Sequence, residues 1–188
     1  MQQYYYTVAS LPAVRFEEKP FLARDEFLEI CRIEATPDDQ DVIENARIFP
    51  ELQEDEAPQP MPGVLGRWNE LVREFSVGAA QIRAQNLGWD SERLPRAAGL
   101  DAAMAERTRT VLNEETPLKM EIALMRWLWQ VVEDLETGHH FDREKLVVYH
   151  LKLQLALRRA HLTDAEAGGE EYDRQYETVA HSLMEITK

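Results

Sequence analysis

Apolar side chains recur at helical spacing along most of this chain, and almost nowhere do they alternate as a half-buried strand requires. The densest pattern spans residues 116–162 and divides into two runs, TPLKMEIALMRWLWQVVEDLE and DREKLVVYHLKLQLALRRAHL, with a short break around Gly138, His139, His140 and Phe141. The first run opens on Thr116 as a cap and Pro117 at the first helical position, where a missing N–H costs nothing. Its polar residues Lys119, Arg126, Gln130, Glu133 and Asp134 share one narrow sector, and apolar residues cover most of the remainder. An arc that wide predicts burial on two or three sides, so this helix is expected to be central. Gly138 suits a left-handed stop, and Asp142 can cap the second helix. There Leu146, Tyr149, Leu153, Leu157 and Ala160 form one stripe, while Val148, Leu151 and Leu155 form another.

A loop this short joins antiparallel neighbours. Pairing residues whose numbers sum to about 278 sets Val132 by Leu146, Trp129 by Tyr149 and Met125 by Leu153. The same register brings Glu121, inside the apolar arc of its helix, level with Arg158. A carboxylate so placed needs a partner, and the planar guanidinium fork supplies one. A partly buried Glu121–Arg158 ion pair that specifies register is therefore expected. The competing reading has Glu121, one turn into its helix, curling out to solvent.

Elsewhere the pattern is plainer. Residues 4–11 are too few to assign by period and read either as a strand or as the start of a buried helix. Residues 23–34 follow helical spacing through Phe27, Leu28 and Cys31, with Asp25 and Glu26 at the positive end of the dipole. Thr36-Pro37-Asp38-Asp39 starts another helix, expected to run to about Phe49. PELQEDEAPQPMPG, residues 50–63, is too proline-rich for a helix and too polar to pack, and reads as an exposed acidic linker or loop. Residues 64–87 are amphipathic through Leu65, Trp68, Leu71, Val72, Phe75, Ala79 and Ile82, with Gly88 as the stop. A connector over 89–99 and a helix over 101–113 follow. After residue 162, Thr163 to Glu166 reads as a capping box, and a closing helix over about 170–186 carries Tyr172, Tyr176, Val179, Leu183 and Ile186.

The resulting fold class is all-α: an irregular helical bundle around a central antiparallel hairpin, with helical repeats as one arrangement open to it. Three parts are expected, an N-terminal helical segment over 1–50, the linker over 51–63 and a main helical domain over 64–188.

Charge narrows the partners. Lys and Arg number 21 against 35 Asp and Glu, a net charge of −14. No basic surface on that scale is available to displace phosphate counterions, so nucleic acid is not expected as a partner, and adhesion to anionic lipid is disfavoured. No apolar run approaches the roughly 20 residues that span a bilayer, so direct membrane insertion is not expected. The start MQQYYYTVASLP lacks the basic and long apolar regions of a signal peptide. The single cysteine, Cys31, sits among Phe27, Leu28 and Ile30 and reads as a packed thiol in a reducing cytoplasm.

Candidate chemistry is sparse. His139, His140 and Asp142 cluster in the hairpin break, but adjacent histidines diverge, and a polar turn explains them more simply than zinc does. His150 and His161 lie about 16 Å apart along one helix, too far to share an ion. Phosphate loops, nucleophile elbows and dinucleotide glycine patterns do not appear. The tryptophans at 68, 127 and 129 sit at helical spacings that suit a core. Glu121 and Arg158 beside His161 could imitate an acid–base site, yet such pairs are often structural. The expectation is no catalytic centre, no metal and no cofactor.

Three stretches together, YYYTVASLP, TPLKMEIALMRWLW and FDREKLVVYHLKLQLALRR, give the chain a family likeness over nearly its whole length. It resembles an uncharacterised bacterial family encoded beside the subunits of V/A-type (V-type) ATP synthases. The tyrosine-rich start and the Phe141, Asp142, Tyr149, Arg158 pattern are also similar, more faintly, to the C/d-type component of that machine, an all-helical socket between the rotating stalk and the proteolipid ring. This chain is shorter than that socket and holds fewer repeats. The resemblance implies a non-catalytic accessory or central-stalk-type subunit, located in the cytoplasm and peripheral at the membrane through a complex, with other V-type ATP synthase subunits as partners. Phe141, Asp142 and Tyr149 would then help to build the helical framework. A regulatory or adaptor domain using the acidic linker, and an enzyme using His139, His140 or the Glu121/Arg158 pair, are the alternatives.

Overall fold

The computed structural model describes residues 3–50, 61–89 and 102–164, and among them lie seven α-helices and no strand. They are α1 (Tyr5–Ser10), α2 (Arg24–Glu34), α3 (Pro37–Glu44), α4 (Gly63–Asn86), α5 (Ala102–Leu112), α6 (Pro117–Glu136) and α7 (Arg143–Thr163). The fold is all-α. Local chemistry sets the hairpin. Thr116 Oγ1 accepts the Lys119 N–H at 3.2 Å, Asp142 Oδ1 accepts the Lys145 N–H at 3.0 Å, and Gly138 takes a φ of +92° between them. That angle lies in the left-handed region, where only glycine avoids a Cβ penalty.

α6 and α7 pack on each other more extensively than any other pair of helices, but the axis of the fold is α7. Every residue from 146 to 156 is buried or half-buried, and α7 also touches α2, α3 and α4. On α6, Leu118 is exposed and Met120, Ile122 and Leu124 are only partly covered. The apolar arc overstates the enclosure of α6, and the polar residues of α7 conceal its own. His150, Lys152 and Gln154 look like a solvated face until their partners are known.

Residues 3–50 are joined to the same buried cluster as the helices after residue 62: Phe27, Leu28, Cys31 and Ile43 belong to it together with Trp68, Leu128 and Leu151. The irregular stretch between Pro12 and Pro20 is clamped to the hairpin. Arg126 and Arg159 each reach Glu17 at 2.8 Å, both guanidiniums lie over the Phe16 ring, and that ring meets Trp129 at 5.5 Å between centroids.

Three boundaries differ from the sequence pattern or resolve it. Residues 4–11, open between strand and helix, hold the short helix α1. α3 stops at Glu44 rather than near Phe49. The Asn45 side-chain amide turns back to the Asp41 carbonyl at 2.9 Å, and the carbonyls of Ala46 and Arg47 accept side-chain donors from Gln154 and Trp68. Thr163 ends α7, its hydroxyl donating to the Arg159 carbonyl at 2.9 Å, and the rest of the capping box expected over Thr163 to Glu166 lies outside the described residues. The closing helix expected over 170–186, the acidic stretch 51–60 and most of the connector after Trp89 lie outside the described residues. No helix among the described residues is long and apolar enough to cross a membrane.

Candidate functional site

The hairpin break and the first turn of α7 gather the densest polar network of the described residues. Tyr4 is buried; its N–H donates to the Phe141 carbonyl and its hydroxyl to Asp39 Oδ2. Asp39 Oδ1 in turn accepts from Arg143 at 3.3 Å, and Arg143 donates to Glu144 Oε1 at 2.6 Å. Glu144, nearly fully buried, uses its other oxygen to accept the Val64 N–H at 2.8 Å. One run of contacts thus ties the N-terminus, α3, α7 and the start of α4. The Glu144 hydrogen bond and charge, with Asp39 behind it, hold the Arg143 guanidinium above its ordinary pKa against the opposing effect of burial. Burial, with the Asp39 hydrogen bond next, pushes the Tyr4 hydroxyl up. These are properties of a tie between helices: each charged group has its partner at hydrogen-bond distance.

Of the residues named from the family likeness, Phe141 stacks on Tyr5 with centroids 4.5 Å apart. Asp142 caps α7 and meets His139 Nδ1 at 2.7 Å. Burial alone would raise the Asp142 carboxyl, but the His139 contact and the Lys145 N–H outweigh it and hold it below the usual range. Tyr149 donates to the Pro12 carbonyl at 2.9 Å, lies 5.1 Å from Phe27, and is pushed up to about 12 by burial. Arg158 Nη2 donates to Glu121 Oε2 at 3.1 Å, with the two side chains 41% and 34% exposed, so this pair lies at the rim of the hairpin rather than within it. At the other end of the hairpin, Glu136 bridges Lys145 and Lys152. Burial would raise Glu136, but the two lysines prevail and keep its carboxyl low.

By spacing alone His150 is only a ligand too remote from His161, and the structure gives it a different place. It is fully buried, its Nδ1 donates to the Ile43 carbonyl at 2.8 Å, and its Nε2 finds no partner among the described residues. Four residues on, Gln154 donates to the Ala46 carbonyl at 2.8 Å. Four further on, Arg158 places its guanidinium 5.2 Å from the Phe49 ring. The i, i+4, i+8 spacing of these three is visible in the sequence; that they face the last turn of α3 and the segment after it is not. His140 is exposed, His139 serves the cap, and His161 lies near the end of α7 away from both. No group of three or more histidine, cysteine or acidic side chains converges as a metal site would need among the described residues.

Two clefts open beside α7. One, about 330 Å³, lies between Leu11, Pro12, Val14 and the side chains of Glu136, Tyr149 and Lys152. The other, about 410 Å³, lies between Arg24, the turn after α3, and Gln154 and Arg158. Compared with known proteins, the chain matches no family model, no curated protein and no solved structure.

Proposed function

We propose that this chain is a non-catalytic binding component, an accessory or central-stalk-type subunit of a V-type ATP synthase. One observation carries the first half of this reading. The buried and half-buried charged groups around α7 are consumed in ties between helices, from Tyr4 and Asp39 through Arg143 and Glu144 to Val64, so the polar chemistry of the chain serves rigidity. A rigid helical body with open clefts suits a part that presents surfaces to other proteins. The choice of assembly rests on the likeness carried by YYYTVASLP, TPLKMEIALMRWLW and FDREKLVVYHLKLQLALRR.

Co-purification tests both halves. A tagged full-length chain, expressed in its own host at native level, is expected to bring down stalk or proteolipid-ring subunits. Recovery of unrelated proteins alone would replace this reading with that of a free-standing adaptor. A turnover activity lost on changing His139 and His140 to Ala, with the fold intact, would replace it with an enzyme.

A further inference from the structure

We infer that the cleft between the turn after α3 and the end of α7 docks a carboxylate-rich segment of a partner protein, an inference that rests on the reading of this chain as a binding component. Arg24 from the start of α2, Arg47 from the turn after α3 and Arg158 from α7 line this one opening of about 410 Å³, together with Ile48, Phe49 and Gln154. None of these lining residues is acidic, in a chain with 35 acids to 21 basic residues. Three guanidiniums from separate parts of the chain therefore converge where the overall charge makes convergence least expected. Such a contrast concentrates potential and steers an acidic partner to one place.

The fold holds this arrangement. Gln154 fixes the floor through the Ala46 and His150 carbonyls at 2.8 and 3.3 Å. Arg158 lies over the Phe49 ring and gives an N–H to Glu121, while the carboxylate of Asp25 stands 3.8 Å from Arg24. A guanidinium carries five N–H donors in a planar fork, so one contact to Glu121 leaves most of the Arg158 fork able to meet a carboxylate edge-on. Ile48 and Phe49 provide an apolar shelf for the methylenes of glutamate. The shape selects among anions. Small-molecule sites bury most of their ligand, and an opening this broad would leave a small oxyanion largely in water. A long polyanion such as nucleic acid would meet the net charge of −14 on either side of the cleft. A short acidic peptide segment presents its charge only where the arginines are.

The test uses the full-length chain and a fluorescein-labelled hexaglutamate peptide, read by anisotropy at low ionic strength. Saturable binding is expected, weakening with added salt. Arg24→Gln and Arg158→Gln should each weaken it about tenfold, the loss of one charge-assisted hydrogen bond, whereas Arg109→Gln on α5, paired with Glu106, should leave it unchanged. Arg24→Gln is the cleaner variant because the fold asks little of that side chain, and an unchanged unfolding midpoint verifies it. Absence of saturable binding, or binding indifferent to both substitutions, overturns the proposal. So does inorganic phosphate that saturates the arginines while the peptide does not bind. If stalk subunits co-purify but the peptide fails, only the docking site falls; if the peptide binds and nothing co-purifies, the site stands and the assembly is wrong.

Discussion

His150 offers the sharpest measurement of how the fold is held. Its Nδ1 must carry the proton, because the Ile43 carbonyl 2.8 Å away can only accept, and Nε2 is left as a buried lone pair. Protonating Nε2 would create a charge with no acceptor, beside the Phe27 ring and in the field of Arg24, with the Ile43 hydrogen bond and then Glu44 in opposition. Burial, and Arg24 after it, therefore push this imidazole down from the ordinary 6.5 to about 4. Across that interval the unfolded chain binds a proton that the folded chain refuses, so stability rises with pH there and is lost as pH falls from about 6.5 to about 4. That difference corresponds to about 3 kcal/mol, a large share of a typical domain's stability. The perturbation is His150→Gln, which keeps a donor for Ile43 and does not titrate. The assay is urea unfolding followed by tryptophan fluorescence at several pH values from about 7 down to about 4.5, where comparison with the variant cancels the contribution of Glu136 and Asp142, both held low and shared by the two proteins. The wild-type chain should lose about 2–3 kcal/mol more than the variant over that range. Parallel curves for the two proteins would mean that His150 is not buried and neutral.

Two other substitutions and probes bear on the same framework. Gly63 has a φ of +87°, and a Cβ there would stand 2.7 Å from Glu144 Oε1. Gly63→Ala should cost about 2–4 kcal/mol, part left-handed strain and part loss of the Glu144 bond to Val64. In a Glu144→Ala background the same change should cost only the strain, and a double-mutant cycle showing full additivity would refute the contact. Cys31 is buried, and burial, with Glu44 adding to it, pushes its thiol up to about 12. A disulfide reagent at mildly alkaline pH should label it only as fast as the chain opens, and labelling within the mixing time of a native sample would show the thiol to be accessible.

What the sequence discloses follows from the range of each interaction. The hairpin is legible because its determinants are local: Thr116 and Pro117 at one start, Gly138 at the stop and Asp142 at the next start lie within a turn of what they control. The Glu121–Arg158 register follows from those, since a short loop leaves little freedom to slide. The end of α3 is illegible for the opposite reason. Its fate depends on His150 and Gln154, whose partners Ile43 and Ala46 lie 107 and 108 residues earlier, and on Trp68, 21 residues beyond Arg47. The Asp39–Arg143 contact, 104 residues apart, is hidden in the same way. Of the candidate site, single residues can be named from their spacing, but the meeting of Arg24, Arg47 and Arg158 requires the tertiary fold.

The same ties decide which experiments can speak about function. Residues 45–49 follow the end of α3 with no helix or sheet of their own, so their conformation is borrowed from donors on α7 and α4. Ile48, Phe49 and Arg47 belong to that borrowed segment and also line the basic cleft. A change at His150, Gln154 or Trp68 would therefore alter the cleft and the core together, and lost partner binding in such a variant could not be assigned to either. Arg24 carries charge into the cleft from the start of α2, paired with its neighbour Asp25, whereas Arg158 also lies over Phe49 and bonds to Glu121 across the hairpin. Substitution of Arg24 separates recognition from folding, and so a failure to bind in that variant can be read as a statement about the surface.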